Sequence, residues 1–149
     1  MKSVQLFILV MMVATSCSIS PREIRYGSDM CQFCKMTVVD SQHGAELVTA
    51  KGRIYVFDAI ECLINYDEME PLNEAKYLLV NDYEDPGELI DAQSSYYLIS
   101  EAIPSPMGAY LTAFSTKQKA ENTALVKGGE IYHWSEIQIV INDETYGNN

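Results

Sequence analysis

Positive charge is scarce in this chain of 149 residues: ten Lys and Arg face 21 Asp and Glu, for a formal charge of −11 at pH 7. So acidic a surface repels phosphate backbones and anionic headgroups alike. That excludes nucleic acid as a partner and electrostatic anchoring as a route to a membrane. No apolar run reaches the roughly 20 residues that carry a helix across a bilayer; the stretch Val4 to Ala14 covers 11 and is broken by Gln5. Of four cysteines, one stands where an N-terminal leader ends, and the odd three that remain make no disulfide framework. Two His and no second Cys pair leave little for a structural zinc cage. Apolar residues, by contrast, make up 48% of the chain, with ten Tyr among them, enough for one packed domain and against disorder.

The first 16 residues read as a signal peptide, with Lys2 as its positive start and Val4 to Ala14 as its apolar centre. Ala14-Thr15-Ser16-Cys17 resembles a bacterial lipobox, in which the Cys is acylated and becomes the mature N-terminus. Cys17 is therefore the expected lipidation site, and residues 17–27 an anchor and tether. Removing the leader takes away only Lys2, leaving a charge of −12. Any membrane attachment then comes from acyl chains, and the expected location is the bacterial cell envelope, facing the periplasm.

The domain proper spans 28–141, followed by a polar tail at 142–149. Thr37-Val38-Val39 is β-rich. Ala45–Ala50 and Arg53–Phe57 flank Lys51-Gly52 as a hairpin. Asp58 is set to cap a helix, with Glu61 completing a D-x-x-E capping box and Ile60, Leu63 and Ile64 forming its apolar face. That helix should stop near Pro71, before a strand at Lys76–Asn81. Short strands at Glu88–Asp91, Tyr96–Ser100 and Ala109–Phe114 follow. A second capping box, Ser115-Thr116-Lys117-Gln118, opens a helix to about Ala124. After a turn at Lys127–Glu130, Trp134–Ile141 reads as helical. The pattern predicts an α+β fold: two small strand–strand–helix–strand (ββαβ) halves packed as one compact body.

Chemistry concentrates in Met30-Cys31-Gln32-Phe33-Cys34-Lys35-Met36. Thiolates and thioethers are soft donors, which favour Cu(I) over hard cations. Cys31 and Cys34 are spaced so that one loop brings two thiols to one ion. Met36 shares their face if the chain runs on as a strand; packing beside Val38-Val39 is its other fate. A thioether carries no proton, so its ligation does not weaken as pH falls. A further Met stands in Pro104-Ser105-Pro106-Met107-Gly108, where two prolines stiffen a loop that presents one thioether. Simple gap-filling is the alternative for Met107. His43, in a polar loop, and His133, beside Trp134, are possible nitrogen donors, more simply a surface and a packed residue. Cys62, between Ile60 and Leu63, reads as a small buried hydrophobe. Asp82, Glu84 and Asp85 read as a solvated loop.

In order along the chain, Asp29-Met30-Cys31-x-x-Cys34-x-Met36, Tyr55-Val56-Phe57-Asp58 with Cys62-Leu63, Asp91-Ala92, and Ser105-Pro106-Met107-Gly108 with Ala113-Phe114 resemble the NosL family of Cu(I)-binding accessory proteins of nitrous oxide reductase. The resemblance covers roughly residues 26–125. It implies a lipid-anchored extracytoplasmic copper chaperone of two ββαβ-type modules, shaped like the organomercurial lyase MerB. It implies as partners the apo reductase and its membrane ABC-type maturation complex. Its Cu(I) ligands map onto Cys31 or Cys34 and onto Met107. Lys35 stands where many members carry Gly, which bears on how closely the loop approaches the metal. Two other readings compete. A thiol–disulfide oxidoreductase using Cys31 and Cys34 needs a helix N-terminus beside the first thiol. A structural zinc site needs a further Cys or His pair.

Overall fold

The computed structural model describes residues 18–69 and 75–146. The leader, Cys17 and the stop at Pro71 lie outside them.

Strand β1 (Ala45–Thr49) is buried along almost its whole length, because it is an inner strand of its sheet. It pairs antiparallel with β2 (Ile54–Phe57) through the expected hairpin and with β3 (Ala75–Asn81) on its other side. Helix α1 (Ile60–Met69) lies between β2 and β3 in sequence, and β4 (Leu89–Asp91) extends the sheet beyond β3. The second half repeats this plan. Strand β5 (Tyr96–Ile99) is flanked by β6 (Leu111–Phe114) and β7 (Glu130–His133), with α2 (Lys117–Lys127) between β6 and β7. The sheet orders β2-β1-β3-β4 and β6-β5-β7 both place the first strand of a ββαβ unit in the middle. The expected α+β body of two such units is what forms.

Helix α3 (Trp134–Tyr146) packs against α1 and belongs to a core shared by both units. That core runs from Leu47, Phe57 and Leu63 through Tyr97 and Leu111 to Ile137 and Ile141, with Cys31 and Cys62 inside it. A smaller cluster of Leu98, Ile103, Phe114 and Ala120 sits under α2. The loop after β3 stitches the units together. Lys119 of α2 donates to Asp82 and to Asp85, each at 2.8 Å, and Tyr83 N–H donates to Ala113 O at 2.9 Å. Asp82 is therefore buried, where a solvated loop was expected.

Several local expectations change. Thr37–Val39 forms no strand; its ladder contact is the single bridge of Thr37 to Met30, because the chain turns back on itself around the sulfur loop. Glu130–His133 is a strand, hidden in the sequence by the glycines before it and the helix directly after it. Helix α3 runs five residues past Ile141, into the stretch read as tail. The first capping box does not close: Asp58 accepts from Val39 N–H, while Glu61 reaches into the second unit. The cap of α2 falls on Thr116, one residue later than the Ser115 box, and accepts from Lys119 N–H at 3.3 Å. No helix among the described residues is long and apolar enough to cross a membrane.

Candidate metal centre

Residues 29–38 form a narrow turn-back whose hydrogen bonds hold the sulfur loop in place. Val38 N–H donates to Asp29 O (2.9 Å), Cys31 N–H to Met36 O (2.8 Å) and Lys35 N–H to Cys31 O (3.1 Å). Gln32 N–H donates to Val56 O (2.8 Å), which ties the loop to β2 and so to the start of α1. At the root of the turn-back, Asp29 is buried and takes hydrogen bonds from Arg22 Nη1 (2.6 Å), Arg25 N–H (2.9 Å) and the Arg25 guanidinium. Burial alone would push this carboxyl up; the Arg22 and Arg25 donors outweigh it and hold the pKa at about 2. Lys35 closes the turn with φ 64°, the left-handed conformation that Gly adopts without penalty.

That turn brings Cys31 and Cys34 onto Cys62, in the first turn of α1. The three Sγ atoms lie within 4.8 Å of one another, and the three thiols are free. Cys31 and Cys62 are buried and Cys34 is half-buried, so the cluster opens to solvent on the Cys34 side. The sulfurs differ electrostatically. The Cys62 thiol donates to Cys31 and, against the opposing effect of burial, draws the Cys31 pKa well below the ordinary thiol range. Backbone N–H groups of Asp58 and Cys34 add to this, the latter 3.4 Å from Sγ. In return the Cys31 charge, with burial, pushes Cys62 far up. Burial raises Cys34 as well, although Met36 N–H donates to its sulfur. The hydrogen bonds around the cluster thus favour ionisation at Cys31 and oppose it at Cys62. Burial, then the Cys31 charge beside it, raises the Asp58 carboxyl.

Met107 lies on the 40% exposed tip of its loop and lines a cleft of about 330 Å³. Phe33, from between the two loop cysteines, lines the same cleft, as do Glu61, next to Cys62, and Ile141 of α3. The thioether loop of the second unit and Phe33 of the sulfur loop thus share one cleft, whose lining includes none of the three cysteines. Met36 is 48% exposed, and its backbone bonds both loop cysteines: its carbonyl accepts from Cys31 N–H and its N–H donates to the Cys34 sulfur. His43 is buried, not at the surface: its Nδ1 pairs with Asp40 at 3.0 Å and its ring meets Tyr83 edge-on. His133 is exposed on β7 against Tyr96. Neither imidazole belongs to the donor cluster.

Cys62 is the member that reading the sequence passed over. It is indeed small and buried between apolar neighbours, but its sulfur faces two other sulfurs. The available signal was the hairpin: β1–β2 must return Phe57-Asp58 beside the sulfur loop, and one turn of helix then presents Cys62.

An α+β protein with three free thiols gathered in the first of its ββαβ units can hold a thiophilic ion. The chain belongs to the NosL family, whose sequence profile matches residues 23–141. It is 30% identical over 122 residues to the copper-binding lipoprotein NosL of Stutzerimonas stutzeri, an alignment covering 75% of this chain and 63% of that relative. The fold matches the crystal structure of the copper chaperone NosL from Shewanella denitrificans with a TM-score of 0.69 and 21% identity, over 80% of this chain and 96% of that one.

Proposed function

We propose that the chain is a lipid-anchored Cu(I) carrier of the bacterial envelope that passes copper toward nitrous oxide reductase. The observation that supports this best is the convergence of three thiol sulfurs within 4.8 Å of one another, with an exposed methionine lining a cleft beside the sulfur loop. Copper is cargo here, so the site must bind it tightly and still release it.

Charge decides how many thiolates take part. Three thiolates around Cu(I) would bury a net charge of −2 beside Asp58 and Glu61, at high desolvation cost. Two thiolates and a neutral thioether bury one negative charge. Cys31 and Cys34 are the pair provided with amide donors, from Asp58, Cys34 and Met36. Cys62 is shifted by Cys31, burial and Cys34, all against ionisation. We therefore assign Cys31 and Cys34 as thiolate ligands, Met107 as the thioether ligand, and Cys62 as a protonated donor to Cys31. Met36, exposed beside Cys34, is a second thioether available during exchange. Binding releases the Cys34 proton to solvent on the open side. A recipient's ligand then enters from that side, displaces the thioether first, and leaves the buried sulfur for last.

The depressed Cys31 pKa is also what the oxidoreductase reading requires. It comes here from Cys62, and the residues after Cys34 turn back instead of starting a helix. The zinc reading lacks its fourth strong ligand among the described residues. The test is competitive Cu(I) titration. One ion per chain is expected, with Cys31→Ala, Cys34→Ala and Met107→Ala each weakening binding by about tenfold or more. Copper should also pass to the apo reductase on mixing. Parent affinity in both Cys31→Ala and Met107→Ala would remove the site, and tight binding without transfer would remove the recipient. Failure of Cys17→Ala to change detergent partitioning would remove the anchor.

A further inference from the structure

Among the described residues, a carboxylate hydrogen-bonds the thiol-bearing helix to the methionine loop. Glu61 stands beside Cys62 in α1 and is only 3% exposed. Its Oε1 accepts from Ser105 Oγ–H at 2.5 Å and from Ala109 N–H at 3.3 Å, so it grips the loop on both sides of Met107. Inside that grip the loop turns back on itself, with Gly108 N–H on Ser105 O at 3.0 Å. Gly108 and Tyr110 both take positive φ, 83° and 57°, and a left-handed tyrosine persists only where its surroundings hold it there. The other Glu61 oxygen, Oε2, is buried with no hydrogen-bond partner among the described residues. An amide at this position would make both loop contacts from its single carbonyl oxygen at lower burial cost.

We infer that Glu61 is a positioning residue for copper: by clamping Ser105 and Ala109 it sets the distance of the Met107 thioether from the thiols that α1 and the sulfur loop hold together. The inference rests on the assignment of Met107 as a ligand. It makes the carboxylate the link between the two ββαβ units at the point where their donors meet. Loosening the clamp lets Met107 drift into the cleft and leaves the ion with thiolates alone.

The test is a double-mutant cycle on the full chain, read by Cu(I) affinity against a competing chelator and by X-ray absorption at the copper edge. Glu61→Ala should weaken Cu(I) by about 10–100-fold, the usual cost of losing a partner that orients a metal ligand. It should also lower the sulfur contribution to the same level as Met107→Ala. In the Met107→Ala background, adding Glu61→Ala should change affinity by less than about twofold. Glu61→Gln should restore near-parent binding, since its carbonyl oxygen takes both hydrogen bonds. Ser105→Ala, a milder change that keeps the acid, should give a smaller loss of the same kind. Additive losses in the double variant, or a Glu61→Ala protein with parent sulfur contribution and affinity, would overturn the positioning role alone. A Met107→Ala protein with unchanged copper binding would overturn the ligand assignment and this inference with it.

Discussion

Substituting Cys62 separates its two conceivable parts, ligand and hydrogen-bond donor, because serine keeps one and loses the other. The Cys62 thiol is the strongest of the groups that hold Cys31 as a thiolate. Hydrogen bonds to charged groups are worth about 1.5–3 kcal/mol, which corresponds to roughly one to two pKa units. In Cys62→Ala that donor is gone, so the Cys31 pKa rises by that amount. Cu(I) must then displace a more tightly held proton: with the pKa lifted from about 5 to about 6–7, the site loses at most about twofold in affinity at pH 7 and about 5–50-fold at pH 5. The loss should grow as pH falls, since the lower thiolate fraction is felt earlier than in the parent. Cys62→Ser places a hydroxyl donor at the same buried position. It should keep the Cys31 pKa low and Cu(I) affinity within about threefold of the parent. The assay is twofold: alkylation rate against pH, followed at Cys31 by peptide mass spectrometry, and chelator competition at two pH values. Should serine cost as much copper affinity as alanine while Cys31 still titrates low, Cys62 is a direct ligand and the charge argument for two thiolates fails.

Three further outcomes test the scaffold around the site. Asp29 has its folded pKa held at about 2 against an ordinary 3.8, so its contribution is complete above pH 4 and disappears as pH falls toward 2. Asp29→Asn should cost about 1–2 kcal/mol at pH 6 in urea melts, reduced by the exposure of Arg25, and the gap to parent should narrow between pH 4 and 2. Lys35→Gly relieves a left-handed lysine and should be neutral or stabilising by up to about 1 kcal/mol in thermal unfolding, with a marked loss counting against strain at the turn. Gly129→Ala would place a Cβ 2.1 Å from Ile99 O at φ 106°, and should destabilise by about 3 kcal/mol or more; a variant that melts like the parent would show that β7 sits elsewhere.

How far the sequence disclosed this arrangement depended on the range of the interaction. The β1–β2 hairpin, the paired ββαβ units and the helix after Thr116 follow from turn residues and periodicity close by in the chain, and all form. The first capping box looked equally local, yet Glu61 found better donors 44 and 48 residues away in the Ser105–Ala109 loop. Asp82 looked like a loop acid until α2 brought Lys119 against it. Cys62 had the right burial and the wrong neighbours, because its partners arrive through the tie between Gln32 and Val56. In each case the missed contact joins residues that pattern reading treats as separate segments.

That division has a consequence for how copper would leave. The thiols belong to the first unit, held by backbone hydrogen bonds to β2 and by packing inside the shared core. The thioether belongs to the second, on a loop that Glu61 hydrogen-bonds on both sides of Met107. A site made wholly within either unit would have no weak side. With the thiolate and thioether ligands proposed above, the thiolates would stay rigid while a single thioether moves, so exchange would start at the ligand that costs least to remove. Stiffening the Met107 loop without changing any ligand should therefore slow the transfer of Cu(I) to an acceptor while leaving its equilibrium affinity equal or higher. A stiffened loop that transferred copper at the parent rate would show that release begins at a thiolate.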